Sequence, residues 1–182
     1  MAETQGPRSP EDVRKFFAGW IDGSNAGDWD RVVELMDPEI VLRDPMLDAP
    51  ARGHLDALLR VKGQYEPFPD GRLEMLGDPF LALEEPVLAY RWRFTGTHLH
   101  PIDPPGFAPT GRRVQVEGMS ALRFRDQRVV DVRLFFDSTD VARQLLAAPP
   151  AGSPLEKGIA FAQRLRARRS RRARAASRKP GS

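Results

Sequence analysis

Three long segments between residues 87 and 137 alternate apolar and polar side chains, and this period of two constrains the fold more than any other feature of the chain. In residues 87–97, Leu88, Tyr90, Trp92 and Phe94 share one face, with Arg91, Arg93 and Thr95 on the other. Residues 112–125 set Val114, Val116, Gly118, Ser120, Leu122 and Phe124 against Arg113, Gln115, Glu117 and Arg123. In residues 128–137 the apparent core face is Val130, Val132, Leu134 and Phe136. Asp126-Gln127 suits a tight turn that would make the last two strands antiparallel neighbours. Shorter strands are expected near 72–76 and 79–84, after the turn Pro67-Phe68-Pro69-Asp70-Gly71.

Helices precede these strands. Ser9 can cap the first, Pro10 suits its first turn, and Glu11 and Asp12 complement the positive end of its dipole. Val13, Phe16, Phe17, Trp20 and Ile21 then form one apolar stripe, which Gly23 to Gly27 terminate. Asp28 restarts a short helix carrying Trp29, Val32, Val33 and Met36, and Asp37-Pro38 is expected to end it. A strand over 39–44 closes at Asp44-Pro45. A third helix is expected from about 54 to 64, with Leu55, Leu58 and Leu59 on one side. Helices first and antiparallel strands after is the order of an α+β fold. Three N-terminal helices on one face of a curved antiparallel sheet can enclose an apolar cavity.

The length of 182 residues fits one domain with a short tail, and a 41% hydrophobic content can bury a core. With no cysteine, disulfides, zinc thiolates, iron–sulfur clusters and cysteine nucleophiles are excluded. Three histidines, His54, His98 and His100, speak against a histidine-rich metal site. No Gly-rich phosphate loop follows a strand. No apolar run approaches the roughly 18 residues of a membrane span. The opening M-A-E-T-Q-G-P lacks the order of a signal peptide, so the expected compartment is the cytoplasm.

The net charge of +3 hides a split. Residues 155–182 hold ten Lys/Arg against Glu156 alone, whereas residues 1–154 hold 18 basic and 24 acidic residues, a net −6. The body is acidic and the tail basic. The expected organisation is therefore a disordered stretch over 1–8, a folded domain over 9–147, and a linker, short helix and basic disordered tail over 148–182. Ser153, Pro154 and Glu156 resemble a capping box, so that helix is expected over about 154–168. The tail has no interleaved aromatics, and the expectation is weak, salt-sensitive adhesion to phosphates rather than specific nucleic-acid binding.

The opening N-A-G-D-W-D-R-V-V-E-L-M-D-P-E-I-V-L-R-D-P resembles the start of the nuclear-transport-factor-2-like superfamily, which includes the ketosteroid isomerases. The stretches Y-R-W-R-F-T-G-T-H, P-T-G-R-R-V and L-R-F-R-D-Q-R-V-V-D-V-R-L-F-F-D resemble its SnoaL-like polyketide cyclase branch. The resemblance spans roughly residues 11–147. It implies a cone of curved sheet around a cavity, a homodimer formed through the outer sheet face, and no cofactor or metal. It further implies acid/base chemistry on a bulky, apolar or aromatic carbonyl compound, by aldol-type cyclisation or isomerisation. A non-catalytic ligand-binding or dimerisation module of the same fold is the alternative.

By the same resemblance, Asp44 stands where the isomerases place their general base, and Asp137 matches the acid/base aspartate of the cyclases. A carboxylate facing an apolar cavity is pushed towards its neutral form, which suits proton transfer at carbon. Each has a plainer alternative. Asp44 can cap the Asp-Pro turn, and Asp137 can cap the segment from Ser138 to Leu145. Strict alternation also turns Asp137 away from the core face, so only a bulge would bring it inward. His98, in G-T-H, is a candidate proton relay or an exposed loop residue. Trp20 and Ser120 occupy the positions of the isomerases' oxyanion-binding groups, so that device is absent in its usual form. Tyr90 and Trp92, each with a polar handle, are expected in the pocket with Phe17, Trp20 and Ser120.

Overall fold

The computed structural model describes residues 6–103 and 106–176. Helix α1 (Pro10–Ala26) begins in a capping box: the Ser9 hydroxyl accepts from the Asp12 amide at 3.0 Å, and the Asp12 carboxylate accepts from the Ser9 amide. It ends at Gly27, whose φ of 69° is the left-handed cap that glycine adopts without a Cβ penalty. Asp28 caps α2 (Trp29–Glu34). The expected helix through Met36 stops short. Met36 opens β1 (Met36–Arg43) instead, and Pro38 lies within that strand where its pairing with the sheet is irregular. Proline cannot donate to a ladder and is tolerated at such a break.

After the two-residue β2 (Ala51–Arg52) comes α3 (Gly53–Tyr65), then β3 (Arg72–Met75), β4 (Phe80–Leu81), β5 (Val87–Thr97), β6 (Arg113–Arg125), β7 (Arg128–Phe136) and α4 (Ser138–Gln144). The strand order is β2-β1-β7-β6-β5-β3, with β4 also on β5. The fold is α+β, with a curved, unclosed sheet. In one respect the antiparallel expectation needs correction: β1 runs parallel to β7, so the sheet is mixed. The two strands are joined by most of the domain rather than by a hairpin, which leaves their relative direction free.

The turn Asp126-Gln127 has φ values of 49° and 63°, the mirror-type geometry that matches strand twist in a two-residue hairpin. Just beyond it the register slips. Phe124 pairs with Val129 but Arg123 with Asp131, so Val130 is the extra residue of a bulge. Val129 is consequently the fully buried residue, and Val130 is displaced from the core face where simple alternation puts it. The core lies between the concave sheet and α1 to α3, built from Phe16, Trp20, Ile40, Leu42, Leu88 and Leu122 among others.

Helix α5 (Pro154–Ala176) extends past the 154–168 expected. Its start is tied back by Arg143, whose guanidinium donates to Glu156 at 2.8 Å. Within the N-terminal stretch expected to be disordered, Gly6 and Pro7 are buried. The disorder expected for residues 1–5 and for 177–182 lies outside the described residues.

Candidate functional site

Sheet and helices enclose a cavity of about 170 Å³ with a mostly apolar wall, including Leu42, Val116, Val132, Leu134 and Phe136. Val141 and Leu145, on and just after α4, also line it. Helix α4 is held there by a side-chain clamp, in which the Gln144 amide accepts from the Gln115 amide at 2.9 Å and donates to its carbonyl at 2.8 Å.

Asp44 follows β1 and opens into this cavity with its side chain fully buried. Its Oδ1 accepts from the Met46 amide at 2.8 Å, the turn-capping role. Its Oδ2 accepts from Arg60 Nε at 2.9 Å, Arg60 Nη2 at 2.5 Å and Gln64 Nε2 at 3.0 Å. The turn-capping alternative for Asp44 is thus seen at Oδ1, while Oδ2 is held by α3. Three donors crowd Oδ2 and one meets Oδ1, which leaves Oδ1 the oxygen with a lone-pair site to spare.

Arg60 and Gln64 are site residues that sequence reasoning misses. On α3, Ala57 and Val61 are buried while Leu55 and Leu59 are exposed, so the leucine side faces out. Residues 57, 60, 61 and 64 form the inward stripe, and its two polar members are the ones that reach Asp44. The i, i+3, i+4, i+7 spacing is the only sequence signal, and two long polar side chains ordinarily mark the solvent face.

A second polar group stands on β5 and β6. Trp20 Nε1 donates to the Tyr90 hydroxyl at 3.1 Å, and Trp92 Nε1 donates to Ser120 Oγ at 2.9 Å. Tyr90 and Ser120 face each other in the strand register. Both hydroxyls accept from an indole, and Ser120 stands close enough to the Tyr90 hydroxyl to act on it. Burial pushes the Tyr90 phenol up, offset in part by Ser120 and Trp20. It therefore stays a donor at neutral pH.

Trp20, Tyr90, Trp92 and Ser120 line the cavity with Asp44. Phe17 does not; it packs edge-on against the Tyr90 ring, centroids 4.9 Å apart, and supports it from behind. Asp137 does not enter the cavity either. It is exposed and caps α4, accepting from the Thr139 and Asp140 amides at 2.8 and 3.0 Å. The bulge at Val130 lies at the opposite end of β7 and leaves the alternation before Asp137 intact. His98 is fully buried outside the cavity wall, Nδ1 3.2 Å from Thr110 Oγ1 and Nε2 without a partner. Burial holds its imidazole below the usual value of 6.5, so the ring is neutral. His54 is not a free helix-end residue: its Nε2 meets the Met36 carbonyl at 3.0 Å. Among the described residues no three His, Asp or Glu side chains group as metal ligands.

A family model described as SnoaL-like polyketide cyclase matches residues 4–145. Among solved structures, AclR from Streptomyces galilaeus, a proposed hydroxylase, matches with a TM-score of 0.65 at 22% identity, over 82% of this chain and 95% of its own. A proposed SnoaL-like polyketide cyclase from Jannaschia sp. CCS1 gives 0.64 at 25% identity, over 79% and 98%. IdmH from Streptomyces antibioticus, a proposed polyketide cyclase, gives 0.58 at 27% identity, over 72% and 96%. No curated protein matches the chain. Names of different chemistry on one fold mean that the reaction has to be argued from the site.

Proposed function

The chain belongs to the SnoaL-like polyketide cyclase family, and from that premise we propose a cofactor-independent acid/base catalyst of carbonyl compounds, acting by aldol-type ring closure or a related isomerisation. One observation carries the proposal: a buried carboxylate, Asp44, opens into the same apolar cavity as two hydroxyls, Tyr90 and Ser120, each of which accepts from an indole. Asp44 takes a proton from carbon next to the carbonyl. Tyr90 and Ser120 hold the carbonyl oxygen as negative charge develops there, each hydroxyl polarised by the indole that donates to it. Of the donors on Asp44 Oδ2, the Gln64 amide is the neutral one and the one a substrate displaces most easily.

Size narrows the substrate. A cavity of about 150 Å³ holds a benzene ring, so the 170 Å³ here encloses about one ring, and the rest of a larger compound extends through the mouth. The test is exchange of the α-hydrogens of 2-tetralone for deuterium in D₂O, followed by proton NMR. The protein is expected to accelerate exchange, and Asp44→Asn to cut that acceleration at least roughly 100-fold while 2-tetralone still binds. Equal exchange in the variant overturns the assignment of Asp44.

The four donors on Asp44, two of them from the Arg60 guanidinium, favour one second reading, a binding module without turnover. Tight binding of the ketone with no exchange above buffer would establish it.

A further inference from the structure

Tyr65, the last residue of α3, carries a buried hydroxyl with no hydrogen-bond partner, and it lines the cavity. A buried hydroxyl that the protein leaves unpaired is costly, so it is a liability with no structural return. Its ring is held edge-on against Trp29 and Phe94, both centroids 5.7 Å away, so it cannot swing out to water. The Ser24 hydroxyl, which donates to the Trp20 carbonyl at 2.7 Å, is near enough to offset the effect of burial slightly, but it forms no hydrogen bond with Tyr65. Burial drives the phenol well above its usual value, with a smaller contribution from Tyr90, so Tyr65 remains a donor throughout the physiological range. No neighbour, Ser24 included, takes that proton in a formed hydrogen bond. The missing acceptor belongs to what enters the cavity.

We infer that Tyr65 is a specificity-determining residue, whose hydroxyl selects carbonyl compounds bearing a second oxygen acceptor on the ring system. This rests on the cavity being the ligand site described above; it adds a requirement that Asp44, Tyr90 and Ser120 do not impose. A site built to hydrogen-bond an oxygen discriminates strongly against an analogue lacking it, because its own polar group is then left unpaired.

The test compares 2-tetralone with its four aromatic-ring monomethoxy isomers, in the wild-type chain and in Tyr65→Phe, by quenching of the fluorescence of Trp20 and Trp92 in the cavity wall. At least one methoxy isomer should bind the wild type about tenfold more tightly than 2-tetralone. Tyr65→Phe should lose that gain, keep its 2-tetralone affinity within about twofold, and unfold thermally at the same temperature or higher, since an unpaired hydroxyl has been removed. No gain for any isomer overturns the inference, as does a gain that survives in Tyr65→Phe. A lowered unfolding temperature of the ligand-free variant also overturns it, because the hydroxyl would then have a structural partner. Failure of every tetralone to bind the wild type overturns the inference together with the ligand site. Deuterium exchange by the Asp44→Asn variant is a separate measurement, so loss of catalysis and loss of ring-oxygen selectivity are distinguished.

Discussion

His98 sets a pH dependence of its own. The folded ring resists protonation because burial disfavours the imidazolium, whereas the unfolded chain takes up a proton near 6.5. Below that value the unfolded state binds more protons than the native one, so the contribution is fully present above 6.5 and lost as the pH falls through the window beneath it. Between about pH 7.5 and 5.5 the unfolding temperature of the wild type should fall further than that of His98→Gln. Parallel decreases would show that the ring is not the source. Asp44 is legible in the sequence because an Asp-Pro turn at a strand end and the family resemblance mark one position. Arg60, Gln64 and Tyr65 are not, because their roles depend on which way α3 is rotated. Asp137 misleads for the converse reason: an aspartate before a short helix caps it whether or not a family uses that position for chemistry.

Among the elements, the β5–β6 pair illustrates how a missing side chain positions a present one. Trp92 pairs with Gly118, and a Cβ there would stand 2.5 Å from Trp92 Cζ2 and 2.6 Å from the Phe135 carbonyl oxygen. The indole lies across the glycine, within reach of Ser120. Gly118→Ala should therefore destabilise the fold by about 1–3 kcal/mol. Gly63→Ala in α3, where a Cβ meets nothing within 4 Å, should be neutral or slightly stabilising. Chemical denaturation of the two variants side by side checks the pair. The strands, their faces and the Asp126-Gln127 turn are legible because period-two patterning and turn chemistry are local. The bulge at Val130 and the outward leucines of α3 are not, since register and helix rotation are decided by packing partners distant in sequence.

For the whole molecule, the acidic body and basic tail are the dominant electrostatic feature. Helix α5 exposes Leu155, Ile159 and Phe161 beside its basic residues, and the ion pair of Arg143 with Glu156 ties its start to the body. At low salt the full chain should be retained on heparin and released by moderate salt. A chain lacking residues 153–182 should pass through with its unfolding temperature unchanged. Retention of the truncated chain would place the anion-binding surface on the body. No helix among the described residues is long and apolar enough to cross a membrane.

The parallel pairing of β1 with β7 also orders events in time. Val41 lies beside Asp131, so β1 lacks its long neighbour until nearly the whole domain has been synthesised. Closing so distant a contact is intrinsically slow. β1 can meet β2 and α3 early, but it joins the long strands of the sheet only through β7. A chain arrested before β7 thus already holds Met46, Arg60 and Gln64, the partners of the Asp44 carboxylate, but lacks the strand that sets this group against Tyr90 and Ser120 across the cavity.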